Sequence, residues 1–333
     1  MSDVDLAPPA RSTPPAAEPA RRSLGSRTVS VGPLPAALLL LVLVGTATTS
    51  GFATVDNIRA ILTAASITGI VAVCMTFLTL SGNFVSLGVQ QNTVLAAILF
   101  LSLTAAGAPL VLAVGVPLVV LVVIAVVQGV VVARGMNTVI TTLAVGAILF
   151  GAMSSVTGGQ VITTGGRSVG VLGQSLLFGV PVVVYGLVVV TAVAWLIATR
   201  TSVGRRCLLL GASRPTAVLS GVSITRTTVF AFVVLAVGAT IAGVLTAAQL
   251  GQATANDLST LTIDVVAAVL VGGTAMAGGS GSPVRSAAGA LLIALLNNLM
   301  VLNGFTTGWR LAVQGALVVV VVLAVQRFSR AAR

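Results

Sequence analysis

Asp264 is the only carboxylate that falls inside an apolar run of this 333-residue chain. A charge in hydrocarbon is costly and marks function, so Asp264 is a candidate for contact with a translocated solute. Its expected position near the outer end of its run eases the cost, because the side chain can reach towards water there. Other apolar runs are interrupted by Ser86, Gln90, Gln91, Asn92 and Thr93, by Gln128, by Thr141 with Thr142, and by the pair Asn297–Asn298. On a helix, Ser86, Gln90 and Thr93 share one face. Asn83, Phe84 and Thr274 lie in glycine-rich stretches that flank such runs. Together these groups either line a path that hydrogen-bonds a hydroxyl-rich solute or clamp helices to one another, a clamp contributing ~0.6 kcal/mol. The residues alone leave both readings open.

What the chain lacks narrows the chemistry. It contains no lysine and no histidine. The glycine-rich stretch VGGTAMAGGSGSP at 271–283 therefore cannot act as a phosphate loop, which needs its lysine on the phosphates. Gly279-Ser280-Gly281 resembles a nucleophile turn, but no general base accompanies it. Cys74 and Cys207 fall in a predicted span and a predicted loop, so neither a disulfide nor a metal site is expected of them. No catalytic residue, cofactor or metal ion is implied.

The elements that must position these groups are legible from composition. Apolar residues make up 57% of the chain and charged residues 7%, against about 25% charged in a soluble domain. Apolar runs of spanning length fall at 34–52, 58–80, 86–106, 108–132, 138–157, 179–199, 227–250, 262–277, 286–303 and 309–326. The expectation is an all-α polytopic transmembrane bundle of about ten spans. Residues 1–33 read as a disordered tail, 34–326 as the transmembrane domain and 327–333 as a second tail. The 17 basic residues are all arginine. With both termini cytoplasmic, fourteen lie in inside segments and only Arg59, Arg167 and Arg310 outside, which fixes orientation and span number together. This placement between spans, in contact with membrane lipid, accounts for the net charge of +11 without a nucleic-acid partner. The connection 158–178 is Gly/Thr-rich and outside, and part of it could re-enter the membrane edge. The glycine-rich breaks at 81–88 and 272–282 echo one another loosely.

The inside connection 200–226 carries the other candidate constellation. Ser213 followed by Pro215 starts a short helix and Gly221 stops it. Thr216, Ala217, Val218 and Leu219 lie between them, with apolar residues expected on the exposed side and Arg205, Arg206, Arg214 and Arg226 around them. Such a helix suits either a groove on a soluble partner or the headgroup layer.

Three stretches resemble the ribose-type (sugar) ABC transporter permeases. Asp264–Ala290 is similar to that family's D-x-I-A-A-V-V-L-G-G-T-S-L-x-G-G-x-G segment. Gly204, Arg205, Gly211, Ala217, Ser220 and Gly221 occupy matching positions of its cytoplasmic loop, and Val55–Gly88 resembles its second-span region. The likeness covers roughly 55–326. It implies an importer permease paired with a second copy or a paralogous permease, two ABC ATPase subunits and an extracytoplasmic solute-binding protein. It implies further that 213–221 is the helix coupling to the ATPase, and that the solute is a monosaccharide or related polyol. This chain departs from the family at Phe84, where an aspartate is usual, and at Arg214, near a usual asparagine. The branched-chain amino-acid permeases share the general fold. An ion-coupled secondary transporter would need titratable groups at the midplane, where only Asp264 is offered. An intramembrane enzyme would lack histidine and a second carboxylate.

Overall fold

The computed structural model describes residues 34–165, 175–275 and 278–331, with side chains through Val320. The expected N-terminal tail therefore lies outside the described residues, as does Arg167. Among the described residues twelve helices follow in order: α1 (Leu34–Thr48), α2 (Val55–Leu80), α3 (Val89–Ala105), α4 (Leu110–Ala133), α5 (Thr138–Thr157), α6 (Val182–Arg200), α7 (Ser202–Ala212), α8 (Arg214–Leu219), α9 (Ile224–Leu250), α10 (Leu261–Val271), α11 (Pro283–Leu302) and α12 (Thr307–Ala331). Each of the ten expected apolar runs coincides with a helix. Six are long and apolar enough to cross a membrane: α2, α4, α5, α6, α9 and α11. α1, α3, α10 and the described part of α12 are shorter apolar helices.

Two helices form the centre. In α2 every residue from Gly69 to Leu80 is buried, and α9 packs along it through Gly238, where an added Cβ would stand 2.6 Å from Cys74 Sγ. α9 meets α3 at Gly243 against the Thr93 carbonyl, and α4 at Gly129, where an added Cβ would stand 2.8 Å from the Val229 Cα. Small residues let these backbones approach where apolar lipid supplies no drive for association. The outer faces of α4, α5 and α6 are apolar and exposed, Val111, Ile148 and Val189 among them, as suits contact with lipid.

The structure corrects two boundaries. α3 begins at Val89, so Ser86 precedes the helix and does not share its face with Gln90 and Thr93. α10 ends at Val271, and Gly272–Gly273 break the run expected to reach 277. The start of α10 meets the start of α3: the Gln90 backbone N–H donates to Thr262 Oγ1 (3.3 Å) and its side-chain amide donates to the Asp257 carbonyl (3.1 Å). The far end of α10 leads to Gly278, which lies against Gly82 at the end of α2. An eleven-residue helix spans about 16 Å. Segment 81–88 thus leads from the glycine contact beyond the far end of α10 back to its start, where α3 begins. At the opposite end of the bundle, Ile162–Thr163 pairs antiparallel with Gln252–Ala253, pinning part of 158–178 onto the α9–α10 connection.

The connection 200–226 is more helical than expected. Thr201 caps α7 by accepting from the Gly204 N–H. Ser213 caps α8 by accepting from Thr216 N, and Pro215 sits in its first turn. Gly221, at φ +76°, closes α8 through Val222 N–H to Ala217 O (2.9 Å) and Gly221 N–H to Val218 O (3.0 Å). This is the paired-bond stop that glycine favours after a helix.

Replacing Gly243 with valine drives its Cβ into the Thr93 carbonyl and the Ala96 side chain. A loss of about 1–3 kcal/mol is expected, read as a lowered unfolding temperature in detergent; an unchanged midpoint would contradict this packing.

Candidate functional site

Two clusters gather the polar candidates, one at each end of α10. The first surrounds Asp264, in the first turn of that helix. Its Oδ1 accepts from the Gln314 amide of α12 (2.7 Å) and from the Asn297 amide of α11 (3.1 Å). Its Oδ2 accepts from the Thr260 hydroxyl (2.9 Å). The side chain is buried, so the expectation of a carboxylate reaching towards water is corrected. Three neutral donors replace its hydration, as a group withdrawn from water requires. The N-terminal end of α10 adds its partial positive charge.

A cavity of about 270 Å³ opens beside Asp264, lined by Ala60, Ala64 and Thr68 of α2, Asn297 and Asn298 of α11, and Arg310 of α12, among others. Asn298 and Asn57 of α2 exchange amide hydrogen bonds at 2.7 and 3.0 Å, closing one wall. Arg310 gives one guanidinium N–H to Thr307 (3.0 Å), while its Nε is buried without a partner among the described residues. Small α2 residues make the space, and a carboxylate, amides and a guanidinium supply acceptors and donors on its walls. The arrangement can bind and orient a small polar molecule. Among the described residues no group of three or more histidine, cysteine or carboxylate side chains could hold a metal ion.

The second cluster lies at the other end of α10. Thr274 takes no part in the cavity: its hydroxyl meets Ser286 (3.4 Å), which also bonds Thr76 of α2 (2.8 Å). Buried Asn83 donates to Ser81 Oγ (2.9 Å) and accepts from the guanidinium of Arg214 at the start of α8 (3.2 Å). Phe84 is 52% exposed on the same segment. The echoing breaks 81–88 and 272–282 meet here.

The remaining candidates scatter. Thr141 bonds back to Asn137 O (2.9 Å) within its own helix, and Thr142 accepts from Leu87 N–H (3.0 Å), tying 81–88 to α5. Gln90 holds the α10 start, as above. Ser86 Oγ, Gln91 Oε1, Asn92 Oδ1 and Gln128 Nε2 are buried with no partner among the described residues. Sequence reasoning did not single out Asn57, Thr260 or Gln314, and it placed Arg310 only as an outside charge. Gln314, at 2% exposure, was the available signal: a lone amide in an otherwise apolar run.

The exposed face of α8 also differs from expectation. Ala217 is buried with Leu210 and Val222, whereas Val218 and Leu219 stand out at 51% and 89% exposure. Arg205, Arg206, Pro215, Ser220 and Gly221 are exposed around them, and Gly204 is buried against α6. Both cysteines are free and buried. Burial pushes the Cys207 thiol up to about 12.

Residues 57–322 match the family described as branched-chain amino acid transport system / permease component. The ribose import permease protein of Bacillus subtilis is 32% identical over 289 residues, which are 86% of this chain and 89% of that protein. That of Haemophilus influenzae is 31% identical over 293 residues, 86% of this chain and 90% of the relative. The xylose transport system permease protein of Escherichia coli is 33% identical over 175 residues, 51% of this chain and 44% of the relative. No solved structure matches.

Asp264→Ala strands the Asn297 and Gln314 amides in the interior, and each buried unmet donor costs about 1–3 kcal/mol. A lowered unfolding temperature is expected, larger than for Asn297→Ala; equal midpoints would contradict the network. The Cys207 thiol, with its pKa near 12, is almost wholly protonated at pH 8, and thiolate is the reactive form. Maleimide at that pH should label the protein only after denaturation; rapid labelling of the folded chain would contradict the burial.

Proposed function

The chain belongs to the branched-chain amino acid transport system / permease component family, and from that membership we propose that it forms the translocation pathway of an ATP-driven importer of a monosaccharide or related polyol. The observation that carries the solute class is the similarity to two ribose import permeases across 86% of this chain. Those relatives favour the sugar reading over a branched-chain amino acid, which the family's description alone would suggest. The Asp264 cavity agrees with it, since hydroxyl groups can donate to carboxylate and amide oxygens and accept from guanidinium and amide N–H groups.

In this reading Asp264, Asn297 and Asn298 belong to the path, and Arg310 joins them. Asn83, Phe84, Ser86, Gln90, Asn92, Thr141 and Thr274 act at the breaks and helix contacts that shape it. All ten apolar helices are taken as spans, with α1 and α3 short and α10 reaching only part-way. Both termini face the cytoplasm, because that orientation puts fourteen arginines inside and three outside. The tail 1–33 then precedes the transmembrane domain. The hydrocarbon span ends near 326, although α12 itself continues to Ala331.

ATP hydrolysis takes place on two separate ABC ATPase subunits, and a solute-binding protein delivers the sugar outside. A second permease copy or a paralogue completes the pair. The surface that meets the ATPase is the α8 face of Val218 and Leu219, with Arg205, Arg206 and Arg214 beside it. An exposed apolar pair ringed by arginines suits a groove on a soluble partner. Gly204, Gly211, Ser213, Pro215, Ala217, Ser220 and Gly221 hold that face in position by capping, stopping and packing the two short helices. Ala217 acts from beneath.

Membrane vesicles carrying the chain with its partner ATPase and binding protein should accumulate labelled D-ribose when ATP is supplied. Uptake that proceeds without ATP and collapses when an ionophore removes the ion gradient would overturn the reading in favour of a secondary transporter. Leu219→Asp should lower ATP-driven uptake about tenfold, the loss of a buried apolar anchor at an interface, with an unchanged unfolding temperature. Native uptake by that variant would remove α8 from the docking surface.

A further inference from the structure

Three stretches of backbone meet at the α8 end of the bundle more closely than any side chain permits. A Cβ on Gly211, near the end of α7, would run into the Leu80 carbonyl and stand 2.5 Å from the Gly279 nitrogen and 3.0 Å from that of Gly82. A Cβ on Gly278 would lie 2.5 Å from the Gly82 Cα and 3.1 Å from the Gly211 Cα. One on Gly279 would lie 2.8 Å from the Ala212 Cα. The Gly279 N–H donates to the Leu80 carbonyl (3.3 Å), joining the break after α10 directly to the end of α2. Gly82, Gly278 and Gly279 all have positive φ, at 76°, 88° and 72°. A side chain at these positions would be both sterically blocked and backbone-strained.

Contacts this close leave no room to slide. A displacement of α7 therefore displaces the segments 81–88 and 278–282 with it, because packed backbones shift between discrete arrangements and do not deform continuously. Steric contact transmits a push. A pull needs a bond, and one spans the gap: exposed Arg214, the first residue of α8, donates to Asn83 Oδ1 at 3.2 Å. Asn83 is only 2% exposed. Its backbone N–H is held by the Leu78 carbonyl (3.2 Å) and its amide by Ser81 (2.9 Å), so it is fixed to the end of α2. Arg214 thus connects a surface helix to the buried turn from which 81–88 climbs towards α3.

Resting on the reading that α8 docks on an ATPase, we infer that Asn83 is the positioning residue through which the break between α2 and α3 follows the movement of α8, with Arg214 as its link and the Gly82–Gly211–Gly278 contact as the fulcrum. Asn83 touches no ATPase and is not part of the Asp264 cavity. Its effect is on the coupling of hydrolysis to transport.

The test compares Asn83→Ala, Arg214→Ala, the double variant and Asn83→Asp in the full transporter, co-reconstituted with its ATPase and binding protein. D-ribose is the probe, and the readout is uptake per ATP hydrolysed. Each alanine variant should lower the ratio about tenfold while hydrolysis continues, the effect of losing one hydrogen bond to a charged group. The double variant should fall no further than either single one, since the two residues act through one bond. Asn83→Asp keeps an acceptor for the guanidinium and should hold the native ratio. Additive losses would overturn the link. So would a native ratio in Asn83→Ala beside a fall in Arg214→Ala, which would leave Arg214 as a docking residue only. Should Asn83→Ala not fold, Asn83→Asp decides: a loss there would assign Asn83 to turn closure instead. A wild-type transporter showing no ATP-driven uptake would overturn the proposed function itself, and this inference with it. That result is distinct from any in which the wild type is active.

Discussion

Backbone polar groups in hydrocarbon must be satisfied within the protein, and everything else in this fold follows from how that is done where the helices break. Segments 81–88, 251–260, 272–275 and 278–282 are not helical. Each is tied by bonds that a helix would otherwise supply. Asn83 N–H reaches back to Leu78 O, and Thr274 N–H to Val269 O. Leu87 N–H finds the Thr142 hydroxyl, and Gly279 N–H finds the end of α2. Glycine is used at the tightest of these joints because the partner on the other side is backbone. The same economy explains the hydroxyl chain Thr76–Ser286–Thr274, which fills the gap left by the α10–α11 break with groups that bond one another.

Breaking α10 after only eleven residues has two consequences. Its first turn lies inside the protein, so the carboxylate of Asp264 and the amides around it sit beside a cavity. Its last turn leads into a glycine joint shared with α2 and α7, the helix that precedes α8. One short helix therefore has a polar pocket at one end and the surface loop at the other. The glycine joint against α7 and the pocket beside Asp264 are thereby connected through one short helix.

Much of the helical framework was legible in the sequence because hydrophobicity is a long-range signal. The ten apolar runs each correspond to a helix, and Ser213, Pro215 and Gly221 do at α8 what their chemistry predicts. Asp264, Asn297 and Asn298 were singled out as polar residues in apolar surroundings, and the fold brings them together. What sequence could not supply was partnership. The buried side of Ala217 depends on Leu210 and Val222, which only tertiary packing puts beneath it. Hydropathy extended α10 to 277 and α3 back to 86, because apolar residues continue where the backbone has already left the helix. Gln314 and Asn57 take their roles only from Asp264 and Asn298, which the fold places opposite them.

The proposal that the break at 81–88 follows the ATP-driven movement of α8 can be tested at Phe84. Cys74 and Cys207 are both buried, so a Phe84→Cys variant carries one accessible thiol. Its labelling by a membrane-impermeant maleimide, applied from each side of sealed vesicles with the ATPase partner present, should change when ATP is added and return when it is consumed. Labelling that is identical from either side, with and without ATP, would contradict the account.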